Sequence, residues 1–186
     1  YVEALESIGL TEAGLLGVAL EEEHGGMGFD FETLCLLLEE AGRYVAAVPL
    51  LPTLVSAALP LQRFGSPQQT QCLGDVAQGR AILTAALLEP NNEDASRPSL
   101  QAKADGDHWI LNGQKHCVPY LQQAQSVLLA AQSEGELLVL LVDVNAAGMA
   151  VTPQQATAGE PQAHCLLENY QAAAGSVVAR GDQAGE

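Results

Sequence analysis

Basic residues are scarce in this chain: 7 Lys plus Arg stand against 23 Asp plus Glu among 186 residues, a formal charge of -16. A field of that sign repels phosphate backbones and anionic headgroups, so no nucleic acid and no membrane surface is expected as a partner. Long apolar runs are missing too. The stretch from Val45 to Leu61 is interrupted by Pro49, Pro52 and Pro60, and falls short of the roughly 20 unbroken residues a bilayer helix requires. The opening residues Tyr1-Val2-Glu3-Ala4-Leu5-Glu6 have neither the basic nor the apolar part of a secretion leader. Cysteine is sparse, and Cys35, Cys72, Cys117 and Cys165 include no close pair, unlike a disulfide framework or a zinc ribbon. A reducing, cytoplasmic setting is the default expectation. His116-Cys117 and His164-Cys165 lack the short spacing of a zinc knuckle, so no metal is expected.

What is present is a globular composition, 48% apolar, on a length that buries roughly 70% of the unfolded surface. Over the first 80 or so residues the apolar period is helical. Asp30 is placed as an N-cap, and Phe31, Leu34, Cys35 and Leu38 follow at i, i+3, i+4 and i+7. A second helix is expected from about Thr53, kinked at Pro60 and stopped at Gly65. Ser66-Pro67-Gln68-Gln69 reads as a capping box opening a short helix through Cys72, Leu73 and Val76, closed at Gly79.

From Arg80 onward the period becomes two. Leu100, Ala102 and Ala104 alternate up to the hairpin signal Asp105-Gly106; Trp109 and Leu111 return, and Asn112-Gly113 repeats the signal. Ser126 to Ala131 and Leu137 to Val144 flank a Ser133-Glu134-Gly135 turn, and a meander is the economical reading. Beyond Val177-Val178 the segment Gly175 to Glu186 carries no helix or strand signal. The expected fold is α+β: a helical domain over residues 1–80, then an antiparallel β-barrel or sandwich over 81–186.

Glu22-Glu23-His24-Gly25-Gly26-Met27-Gly28 after Leu16-Gly17-Val18 is similar to the glycine-rich turn of flavin-dependent acyl-CoA dehydrogenases. It is joined in order by Leu38-Glu39-Glu40-Ala41-Gly42-Arg43, Gly65-Ser66-Pro67-Gln68-Gln69, Leu87-Leu88-Glu89-Pro90 and Leu111-Asn112-Gly113-Gln114-Lys115. The match continues loosely through Val142-Asp143 and Leu166-Leu167-Glu168-Asn169. The resemblance implies the helical and middle β domains of that family, with its C-terminal helical domain expected to be absent from these residues. It implies FAD as cofactor, an acyl-CoA thioester as substrate, and homo- or hetero-oligomers of similar subunits. The catalytic base would come from the C-terminal domain, so no catalytic residue is assigned.

By the same resemblance Leu87, Leu88, Glu89, Pro90, Asp94, Cys117, Val118 and Pro119 bracket the flavin ring. Leu88 and Pro119 stand where threonines recur in the family, Cys117 where a tryptophan does, and Asn91-Asn92-Glu93-Asp94 replaces a glycine-serine turn. Each lost hydroxyl removes roughly 0.5–1.5 kcal/mol of net hydrogen bonding, and Pro119 has no N–H to donate. Two functions therefore stay open: part of an enzyme desaturating an acyl-CoA, bulky or steroid-derived acyl groups included, or a non-catalytic subunit supporting a catalytic partner. Plainer readings also stand. Glu21 to Glu23 reads as a solvated run, Gly25-Gly26 as a turn, Glu89-Pro90 as a strand stop, and Cys117 as a filler at the flavin edge or in the core. Val48-Pro49-Leu50-Leu51-Pro52 resembles the family's pocket-lining stretch.

Overall fold

The computed structural model of the chain describes residues 9–92 and 94–185; the readings of Tyr1 to Glu6 and of Glu93 lie outside the described residues. The chain divides into two compact units, Tyr1–Leu83 and Thr84–Glu186.

In the first unit a glycine-rich turn is laced by its backbone. Met27 N–H donates to Gly17 O at 2.8 Å, Gly28 N–H to Leu20 O at 2.8 Å and Phe29 N–H to Val18 O at 3.0 Å. Gly26 lies so close to the Leu20 carbonyl that a Cβ there would overlap it, which accounts for a glycine at that place. Helix α1 (Phe31–Arg43) starts as its sequence indicates: Asp30 Oδ1 accepts from Thr33 N–H at 2.9 Å and Thr33 Oγ1 at 2.7 Å. Those bonds hold the Asp30 carboxyl below its ordinary value.

The second helix differs from expectation at its start. A wide π-helical stretch, Leu51–Ala58, leads into α2 (Leu59–Phe64), with Pro52 in the first turn of the one and Pro60 in the first turn of the other. Proline lacks an N–H and crowds the carbonyl four residues back, and a widened turn ahead of Pro60 relieves both. After Gly65, Ser66 N–H donates to Gln69 Oε1 at 2.8 Å and Gln69 N–H to Ser66 Oγ at 3.4 Å, the reciprocal bonds of a capping box. A single tight turn, Thr70–Cys72, then opens α3 (Leu73–Ala77). Leu34, Leu54, Ala57, Leu61, Leu73 and Val76 are buried and form the core of this unit.

The eight-stranded sheet comprises β1 (Leu83–Ala86), β2 (Gln101–Asp105), β3 (His108–Pro119), β4 (Ser126–Ser133), β5 (Glu136–Asp143), β6 (Met149–Gln154), β7 (Gln162–Ala173) and β8 (Val177–Arg180). Its order is β6-β7-β3-β2-β4-β5-β8, with β1 on β4. Leaving β1 aside, the pairings are antiparallel except β2 with β4, which touch in parallel at Gln101 and Gln132. Asp105 pairs with His108 and Ser133 with Glu136, so both tight hairpins fall at their turn signals.

Three expectations are corrected. Asn112-Gly113 is no turn: β3 runs straight through it, and Gly113, at φ +146, passes so near Leu100 that a Cβ would meet its Cα at 2.8 Å. The sheet is no simple meander, because β7 returns to pair along β3. The tail also continues its strand to Arg180 and adds a short helical turn, Gly181–Gly185. Among the described residues no helix is long and apolar enough to cross a membrane.

Candidate functional site

Strand β1 is buried along its length, and where it ends the chain turns two leucines outward: Leu87 is 49% exposed and Leu88 43%. Among the described residues of the β unit these are the exposed large apolar side chains. The next residue turns inward. Glu89 is 3% exposed and meets Lys115, at 0%, with Nζ 2.8 Å from Oε1. Lys115 keeps the phase of Trp109, Leu111 and Gly113 along β3, so the strand's own alternation sends an ammonium into the interior.

That interior is built for the charge. Glu89 Oε1 also accepts from Leu100 N–H at 3.0 Å, while Oε2 accepts from Ser99 N–H at 2.6 Å, from the Ser99 hydroxyl and from Asn92 Nδ2 at 3.3 Å. Burial pushes the carboxyl up, but the bonds from Lys115, Ser99 and Leu100 outweigh it and hold Glu89 at about 2. Burial draws the Lys115 ammonium below the ordinary lysine value, against the pull of Glu89. Glu89 is therefore ionised at neutral pH.

The pair joins two of the segments singled out in the sequence. One residue from each partner, His116 N–H donates to Leu88 O at 3.0 Å; farther along, Thr84 Oγ1 donates to Pro119 O at 2.7 Å. Between Lys115, opposite Cys165, and Val118, opposite Ala163, the β3–β7 register shifts, leaving one extra residue on β3, the mark of a bulge. Cys117 lies in that bulge at φ +49, and its N–H donates to Gln154 Oε1 at 2.8 Å.

Leu87, Leu88, His116, Cys117 and Pro119 thus belong to one seam. The remaining sequence candidates are placed differently. The Glu89 carboxylate is fully engaged inside the protein, and its backbone N–H and carbonyl bond those of Asn92. Val118 is buried in the core. Pro90 sits in a turn closed by Glu89 and Asn92, and Asp94 closes the next one by accepting from Ser96 N–H at 3.0 Å. Lys115, Ser99, Asn92 and Gln154 were missed as site residues; a lysine in phase with Trp109 and Leu111 was the readable signal for a buried carboxylate nearby.

The two His-Cys pairs do not converge as a ligand set. Burial raises the Cys165 thiol to about 11, and His164 Nε2 lies 3.0 Å from Gln114 Oε1. In the helical unit Glu21, Glu23 and His24 bring ligand atoms within 4.8 Å of one another, an arrangement common on acidic surfaces with no ion bound.

A glycine-laced helical unit followed by this kind of sheet recurs in known proteins. Residues 6–80 match the model of the acyl-CoA dehydrogenase N-terminal domain. The chain is 30% identical over 188 residues to the probable acyl-CoA dehydrogenase YngJ of Bacillus subtilis, which spans 91% of this chain and 48% of that protein. Among solved structures, the Tcur3481-Tcur3483 steroid ACAD superposes with a TM-score of 0.85 at 38% identity, covering 94% of this chain and 47% of that one. The ChsE4-ChsE5 complex from Mycobacterium tuberculosis superposes with a TM-score of 0.87 at 33% identity, covering 95% and 48%. The chain belongs to the acyl-CoA dehydrogenase family, and it spans about half the length of the relatives it matches.

Proposed function

We propose that this chain supplies the flavin-facing β surface of a dehydrogenase that introduces an α,β double bond into an acyl-CoA thioester. The observation that carries the reading is the Leu87-Leu88 ledge. In a unit whose other described large apolar side chains are buried or half-buried, two leucines remain open beside a backbone seam at His116. A flat, largely apolar ring suits such a ledge, because covering both side chains removes apolar surface from water. The residues present therefore fit an isoalloxazine, with Leu87, Leu88 and Cys117 as the side chains nearest the seam and the backbone of Glu89 to Asn92 and of Val118-Pro119 flanking it.

Bound FAD would supply the acceptor for the hydride leaving the β carbon. This chain's part is to bind and orient the ring and to keep water off one side of it. The α-proton is removed by a base outside the seam. A bulky or steroid-derived acyl group belongs to the same proposal, supported by the steroid ACAD among the similar structures, and so does a cytoplasmic setting, expected from the absence of close cysteine pairs.

A second reading rests on the residues Leu88, Cys117 and Pro119, which offer the ring no hydroxyl and no indole. In that reading the chain belongs to a supporting subunit paired with a catalytic one, as the two-component ChsE4-ChsE5 relative suggests. FAD titration of the full-length protein, with and without any co-purifying chain, separates the two. An enzyme subunit holds FAD alone, and the Leu88→Thr/Pro119→Thr variant changes little. A supporting subunit is empty alone and gains up to about tenfold in affinity for each useful bond restored.

A further inference from the structure

A buried ion pair is a poor way to stabilise a sheet, since apolar side chains of the same volume often do as well or better. What Glu89 and Lys115 have that leucine and methionine lack is direction. Through its two oxygens Glu89 fixes Lys115 on β3, Ser99 and Leu100 at the entry to β2, and Asn92 in the preceding turn. Four residues in three parts of the chain are tied to one carboxylate.

The place where this happens borders one of the sheet's register shifts. From Lys115 to Val118 strand β3 advances three positions while β7 advances two, from Cys165 to Ala163. A strand with an extra residue has slack that pleating alone does not take up. Lys115 pins β3 just before the slack. Gln154 at Cys117 N–H and Thr84 at Pro119 O pin it within and after. The residues directly beside the pair, Leu88 and His116, are the two whose backbones bond at 3.0 Å.

From this geometry we infer that Glu89 and Lys115 are positioning residues that set the Leu87-Leu88 ledge against the His116 to Pro119 backbone, acting on the flavin ring through that seam without touching it. The inference rests on the reading of the ledge as the flavin face.

The test uses the full-length protein with any chain that co-purifies: wild type, Glu89→Gln, Lys115→Met, the double variant, and Leu129→Ala as a core control on β4. Three quantities are measured, namely FAD affinity by fluorescence quenching, thermal midpoint, and amide exchange of the peptides holding Leu88 and His116. Each single variant is expected to bind FAD about tenfold or more weakly, the scale of one or more lost bonds to the ring. The double variant, with no unpaired charge left inside, should recover most of its thermal midpoint but not its affinity, and its His116 amide should still exchange fast. Leu129→Ala should melt lower yet keep its affinity. If the single variants fail to fold, the double variant decides. Affinity that returns with the midpoint in the double variant, or falls equally in Leu129→Ala, overturns the inference. Variants unchanged beside an FAD-loaded wild type overturn the positioning role alone; a wild type that takes up no FAD overturns the flavin reading and this inference with it.

Discussion

Helix α1 buries a single side chain, Leu34, and leaves Phe31 and Leu36 open, whereas strand β4 buries five residues in succession from Val127 to Ala131. The contrast runs through both units. On the helical side Phe29, Tyr44, Val45 and Leu51 are also exposed, and local devices are prominent: the Asp30 cap, the Ser66-Gln69 box and the laced glycine turn. On the β side the core closes over both faces of β4 and encloses an ion pair. Stability in the helical unit is therefore sensitive to caps and turns, and in the β unit to what fills the interior.

The largest test of that contrast is Lys115→Met, which strands the Glu89 carboxylate inside the sheet and should cost about 3–5 kcal/mol. Trp109 is the chain's one tryptophan and lies on β3, so denaturant unfolding followed by its fluorescence reads the β unit. A shift in that signal of under about 1 kcal/mol would mean the pair behaves like a surface one.

Acid should act on the same place. Glu89 lies at about 2 in the folded chain against an ordinary 4.5, so the unfolded chain binds more protons between those values. The contribution is fully present above about pH 4.5 and is lost as pH falls toward 2, about 3 kcal/mol in all. In Glu89→Gln this part of the pH dependence should vanish from the Trp109 signal; an unchanged profile would remove Glu89 as its cause.

Two smaller effects probe the helical unit. Gly26→Ala drives a Cβ against the Leu20 carbonyl and should cost about 1–3 kcal/mol, seen by helical circular dichroism with the Trp109 transition in place. Ser66→Ala removes one half of the capping box and should cost about 1 kcal/mol. If either moved the Trp109 transition as far as the circular dichroism, the assignment of caps to one unit and interior to the other would be broken.

Legibility in the sequence followed the same division. The Asp30 cap, the capping box and the two tight hairpins were readable because each is decided within a few residues. Asn112-Gly113 misled because its local turn propensity is overridden by pairing with β7, more than fifty residues on, which carries β3 through a glycine pressed against Leu100. The wide turn before Pro60 was half visible: the proline marks the disturbance but not how the backbone absorbs it. At the site the resemblance picked the two segments that meet, yet it could not say that Glu89 faces inward and Leu88 outward. That difference depends on Lys115, twenty-six residues away, and on the strand phase that buries it.

On the proposed reading, the flavin ring rests on the seam of Leu87 to Glu89 with His116 to Pro119. Amide hydrogen exchange of the full-length protein with and without FAD tests it directly. Added protection is expected in the peptides covering those two segments and none at the β4–β5 hairpin around Glu134-Gly135. Protection confined to other segments, with the Leu88 and His116 peptides unchanged at saturating FAD, would contradict it.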